Sequence, residues 1–167
     1  MQALELADRA EAFLAGINAF DDRLNARQVS IERDAGRYRD IFRKDDGPET
    51  GGTYWLYRPD GVVFYIGKAD ASLWTRITYH PDVAEWHGDP AAKFEGTTGE
   101  GWGFPRYKKL DSPRVGAATK GAILQGDFRV GWVAVAPSTV ALLLEVYLQA
   151  LSVAVDGDLP EFCDKLG

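Results

Sequence analysis

Six side chains in this sequence have types and spacings suited to chemistry on a phosphate: Tyr54, Tyr65, Lys68, Arg76, His80 and Glu145. The two tyrosines flank a hairpin. Residues 53–58 and 62–67 are rich in Tyr, Trp, Val, Ile and Phe, which suit a pleated surface. Between them, Arg58-Pro59-Asp60-Gly61 has Pro and Gly where a type I turn prefers them. A four-residue loop over 58–61 sets Tyr57 against Val62 and, counting back, puts Tyr54 directly opposite Tyr65 on one face. Such a pair is either aromatic glue for the hairpin or two phenols placed for use. Arg76 and His80 are four apart on a helix expected over 72–79 and ended by Pro81, so they share a face. Leu73 and Ile77 form the neighbouring apolar stripe that packs this helix on the sheet. A guanidinium matches phosphate oxygens bidentately, so the pair fits a phosphate clamp as well as an ordinary solvated face.

Glu145 stands in a different setting. Pro137-Ser138-Thr139 starts a helix expected to run to about residue 153, and Val140-Ala141-Leu142-Leu143-Leu144 makes it a core helix. A lone carboxylate there is costly unless it is paired, solvated or bound to a cation.

Gly52-Thr53-Tyr54, ten residues, Tyr65-Ile66-Gly67, then Leu73-x-x-Arg76-x-x-x-His80 resembles the core of the GIY-YIG nucleases, with Thr53 in place of the usual Ile. The resemblance implies an α+β fold: a small, mainly antiparallel three-stranded sheet flanked by helices. It further implies a phosphodiester hydrolase, restriction-like, using one Mg²⁺ or Mn²⁺ held by Glu145. In that scheme Tyr54 is the general base, with Lys68 supplying the positive charge a phenol needs to act near neutral pH. Arg76 holds the phosphate, and Tyr65 and His80 orient it or the water. The partner implied is DNA, with RNA left open. The family's Asn after the Glu145 helix has no counterpart, and Asp156, Asp158 and Asp164 stand nearest to its place. The alternative from another class is a catalytically silent module that binds nucleic acid or a partner on the same fold.

The rest of the chain must position these groups. Residues 1–47 read as a helical extension: Leu6, Ala10, Phe13, Ile17, Phe20 and Leu24 form one apolar seam, followed by a second helix over about 31–42. The seam packs on the core, on the second helix, or on another copy as a homodimer. Residues 52–167 form the nuclease-like domain, with a long loop insertion over about 82–120. Ala122 to Gln125 reads as a short strand and 128–136 as a longer one. Residues 101–129 carry six basic side chains against two acids although the chain's net charge is −6. Within them Phe104-Pro105-Arg106-Tyr107-Lys108-Lys109 mixes aromatic and basic residues, as phosphate contact and base stacking require. Arg106, Lys108, Lys109, Arg114 and Lys120 are therefore the candidate nucleic-acid contacts, the other reading being a solvated face. With 167 residues, 46% hydrophobic, the chain can bury a core. A single cysteine, Cys163, excludes an internal disulfide and a cysteine-based metal site. No apolar run reads as membrane-spanning and no signal pattern opens the chain, so the expected location is cytoplasmic, away from membranes.

Overall fold

The computed structural model describes residues 1–41, 47–78 and 112–166. Strands β2 (Gly52–Tyr57) and β3 (Val63–Ala69) form the expected hairpin. The Gly61 N–H donates to the Arg58 carbonyl at 2.8 Å and the Arg58 N–H to the Val62 carbonyl at 3.0 Å. Gly61 has φ +86°, a left-handed conformation that glycine adopts at no steric cost. The loop is therefore a type I turn closed by a left-handed residue, three residues long rather than four. A bulge then sets Tyr57 against Val63 and Leu56 against Tyr65, leaving Phe64 as the extra residue.

These two irregularities correct the expected register: Tyr54 lies opposite Gly67, not Tyr65. Each moves the pairing by one residue, so together they move it by an even number. Tyr54 and Tyr65 consequently still share a face, as diagonal rather than direct neighbours.

The sheet has four strands, all antiparallel, in the order β1-β4-β2-β3, with β1 at Arg27–Glu32 and β4 at Arg129–Ala136. The expected three-stranded sheet is thus widened by a strand from the N-terminal segment, which is not helical throughout. After α1 (Ala3–Phe20) and a 3-10 turn at Asp22–Leu24 the chain enters β1, and only a four-residue helix, α2 (Tyr38–Ile41), follows. Strand β1 is an edge strand with little burial, Val29 being 51% exposed, so it lacks the apolar alternation by which strands are read. Its backbone ladder with β4 holds it. The strand expected at Ala122 is instead part of helix α4 (Ala117–Leu124); a short apolar run fits either state.

Two cores lie on opposite faces of the sheet. On one, α2, α3 (Leu73–Thr78) and α4 enclose Tyr38, Tyr54, Leu56, Phe64, Leu73, Ile77, Ile123 and Phe128. On the other, α1 and α5 (Thr139–Asp156) enclose Leu6, Leu14, Trp55, Ile66, Val133, Leu144 and Leu148. Each aliphatic side chain so buried contributes about 1.5–3 kcal/mol. Of the α1 seam, Leu6, Ala10 and Ile17 are buried as expected. Phe13 is half-buried and stacks on Tyr147 with ring centroids 4.5 Å apart, while Phe20 is 90% exposed. Leu6, Ala10 and Ile17 of the stripe are thus packed within the protomer, while Phe20 at its end remains on the surface.

Helix α5 is 18 residues long and, by length and composition alone, apolar enough to cross a membrane, longer than the sequence reading allowed. Val140, Ala141, Leu144 and Leu148 along it are buried in the second core. The free edge of β3 is covered by the C-terminal segment. The Phe162 N–H donates to the Phe64 carbonyl at 2.9 Å, and the Cys163 Sγ lies 3.4 Å from both the N and the O of Ile66.

Candidate active site

Glycine at position 67 lets the two phenols meet. A Cβ there would lie 2.6 Å from the Tyr65 hydroxyl oxygen and 2.7 Å from its ring. The Tyr65 ring thus occupies the space a side chain at 67 would need, and it reaches Tyr54 with ring centroids 5.7 Å apart at a 46° tilt. Tyr54 is 1% exposed; Tyr65 is half-buried. Helix α3 packs beside them through Leu73 and Ile77, both buried, and presents half-buried Arg76. No carboxylate among the described residues pairs with Arg76. Its charge acts on Tyr38, Tyr54, Tyr65 and Glu145 together.

Glu145 comes from the opposite face of the sheet. The Thr53 hydroxyl, fully buried, donates to the Ala141 carbonyl at 3.0 Å, which ties β2 to α5 one turn before Glu145. Thr53 is the one departure from the first triplet of the resemblance, and its hydroxyl has this use. The Glu145 side chain is 7% exposed, and its Oε2 is buried with no hydrogen-bond partner among the described residues. Burial raises its carboxyl above the ordinary range; Lys68 and Arg76 pull it down and Asp70 pushes it up. No ion pair to Glu145 forms among the described residues. A buried carboxylate with an orphan oxygen, facing two cations that do not close on it, fits the donor a hard divalent cation takes. Among the described residues no group of three or more His, Cys, Asp or Glu forms a cage. A metal here would rest on Glu145, water and phosphate oxygens, the usual mode for Mg²⁺.

Burial dominates the phenols. It raises Tyr54 well above the ordinary phenol value, with Tyr65 adding to the rise and Arg76 opposing it. Burial raises Tyr65 as well, but hydrogen bonding with Tyr54 and the charge of Arg76 both lower it. Tyr65 is the less buried of the pair.

Lys68 does not share the face of Tyr54, where the sequence reading placed its charge. It lies opposite Thr53, one residue on from Gly67, so strand alternation turns it away from Tyr54. Its Nζ pairs with Asp70 at 2.5 Å, and its charge acts on Glu145. The cation beside the phenols is Arg76. Among the candidate nucleic-acid contacts, Arg114 is committed within the chain: its guanidinium donates to the carbonyls of Cys163 at 3.0 Å and Leu159 at 3.3 Å and to Asp158 at 3.2 Å. Lys120 lies on α4 and is half-buried. His80, Arg106, Lys108 and Lys109, with most of the insertion, fall outside the described residues. Of the acids nearest the missing Asn, Asp156 pairs with the Met1 amino group, Asp158 bonds Arg114 and the Leu159 N–H, and Asp164 is exposed.

Three residues around this site have no counterpart in the sequence reading. Gln149, one turn after Glu145 and 3% exposed, donates to the Ile66 carbonyl at 3.2 Å. Asp70 neutralises Lys68. Tyr38 donates its hydroxyl to the Ile77 carbonyl at 2.6 Å. Gln149 was open to detection as a second polar residue four positions from Glu145 on the same helix face; Tyr38 carried no signal of its own, since a bond from its hydroxyl to a carbonyl far along the chain leaves no local pattern. Compared with protein-family models, curated proteins and solved structures, the chain matches none.

Proposed function

We propose that this chain is a metal-dependent endonuclease of the GIY-YIG kind, hydrolysing DNA phosphodiester bonds in a restriction-like role. The observation that carries the proposal is the buried Oε2 of Glu145, without a hydrogen-bond partner among the described residues and within the same field of charge as Arg76 and the Tyr54–Tyr65 pair. Arg76 takes the scissile phosphate bidentately. Glu145 would hold Mg²⁺ or Mn²⁺, which when bound neutralises charge on the phosphate and the departing oxygen. Lys68 and Arg76 favour the ionised form of Glu145 that such binding needs. Tyr65 accepts the proton of the attacking water, and the sealed Tyr54 orients it. The base role is thus given to Tyr65, the less buried phenol, in place of Tyr54.

The test is incubation with supercoiled plasmid, with and without Mg²⁺. Metal-dependent cleavage that disappears in Arg76→Ala and in Glu145→Ala is expected. Binding without cleavage under any divalent metal assigns the fold to a silent nucleic-acid-binding module instead, and RNA in place of plasmid separates the two polymers.

A further inference from the structure

Tyr38 comes from the N-terminal segment, outside the hairpin and helix that carry the nuclease resemblance. Its ring is 1% exposed and stacks on Phe128 with centroids 4.5 Å apart. Its backbone is held too: the Tyr38 N–H donates to the Phe128 carbonyl at 2.7 Å, and the Ala35 N–H to the Val130 carbonyl at 2.8 Å. A ring anchored in this way can hold whatever its hydroxyl reaches. It reaches the Ile77 carbonyl, at 2.6 Å in a buried setting. A helix carbonyl that accepts a hydroxyl from another segment is tied to that segment, and Ile77 directly follows Arg76.

We infer that Tyr38 is a positioning residue for Arg76: its hydroxyl pins the last described turn of α3 and so fixes where the guanidinium points. The inference rests on the nuclease reading for its catalytic consequence, not for its geometry. Arg76 sits in the second half of the described span of α3, Leu73–Thr78. Leu73 and Ile77 seat it on the sheet, and the Leu73 and Trp74 N–H groups donate to the carbonyls of Thr50 and Pro48 at 2.9 and 3.0 Å. These contacts fix the start of α3. Tyr38 supplies a further tie beyond Arg76, at Ile77. In its absence the guanidinium moves relative to Tyr54 and Tyr65, and a displacement of about 1 Å in such a group costs on the order of 10²-fold in rate. The N-terminal segment is then part of the catalytic unit rather than an attachment to it.

The test compares the full chain carrying Tyr38→Phe, which keeps the ring and removes the hydroxyl, with Val135→Ala, which loosens the opposite core. Two readouts are taken: the Arg76 Nε–Hε NMR signal, assigned with Arg76→Lys, and single-turnover plasmid cleavage well below melting. Tyr38→Phe is expected to displace the Arg76 signal and slow cleavage tenfold or more with KM within twofold. Val135→Ala is expected to lower the melting temperature and leave both readouts in place. An Arg76 signal unmoved in Tyr38→Phe overturns the inference, as does an equal displacement in Val135→Ala. Displacement specific to Tyr38→Phe in a protein that cuts no DNA would uphold the positioning and remove the nuclease reading.

Discussion

The Tyr65 ring lies across the Cα of Gly67, and this close approach brings its phenol to Tyr54 on the neighbouring strand. Because Tyr54 is Gly67's cross-strand partner, the diagonal pair depends on the absence of a side chain between them. Gly67→Ala should therefore push the Tyr65 ring aside with little effect on the sheet. Cleavage is expected to fall about 10²-fold, with the melting temperature within about 4 °C of wild type. Full activity in this variant would show that the meeting of the phenols is incidental.

Burial holds the Tyr65 phenol above its ordinary value, so only a small fraction is ionised near neutrality. If Tyr65 is the base, the rate of the chemical step rises about tenfold per pH unit between about pH 7 and pH 9. Tyr65→Phe abolishes that slope. A rate independent of pH over this interval removes the base role from both phenols.

Glu145 makes an opposite demand on stability. Its folded carboxyl is raised above the unfolded value, so its contribution is fully present below the unfolded value and is lost as pH rises through the folded one. Without divalent metal, Glu145→Gln should melt higher than wild type at pH 8, by about 2–4 °C for each 1 kcal/mol relieved. The difference should vanish near pH 4. Addition of Mn²⁺ is expected to raise the wild type alone, since binding to the folded state stabilises it. Equal melting temperatures at pH 8 would mean that Glu145 is already paired.

Arg114 separates structure from recognition. With its guanidinium bonded to Cys163, Leu159 and Asp158, Arg114→Ala should destabilise the fold by about 1–3 kcal/mol. The slope of log affinity for DNA against log salt should not change. A slope smaller by about one would return Arg114 to a phosphate.

The pattern of what was legible follows from parity and burial. Tyr54 and Tyr65 could be placed on one face from sequence because the shortened loop and the Phe64 bulge offset the register by an even number of residues. The side of Lys68 could not be read from its closeness to the Tyr65-Ile66-Gly67 triplet, because adjacent strand residues point to opposite faces. Glu145 was conspicuous as the one acid within an apolar helix. Strand β1 was hidden because an edge strand with both faces largely wet has no apolar alternation. Tyr38 was hidden because a hydroxyl-to-carbonyl bond across 39 positions leaves no local pattern.

The central claim is that Glu145 and Arg76 share one substrate phosphate, the carboxylate through a metal and the guanidinium directly. Crystals of the Tyr65→Phe protein with a short DNA duplex and Mn²⁺, measured at the manganese absorption edge, test it most directly. The account predicts an anomalous peak about 2.0–2.2 Å from Glu145 Oε2, with a backbone phosphate between it and the Arg76 guanidinium. A peak elsewhere, or Glu145 closed in an ion pair with Lys68 or Arg76 while DNA is bound, would contradict it.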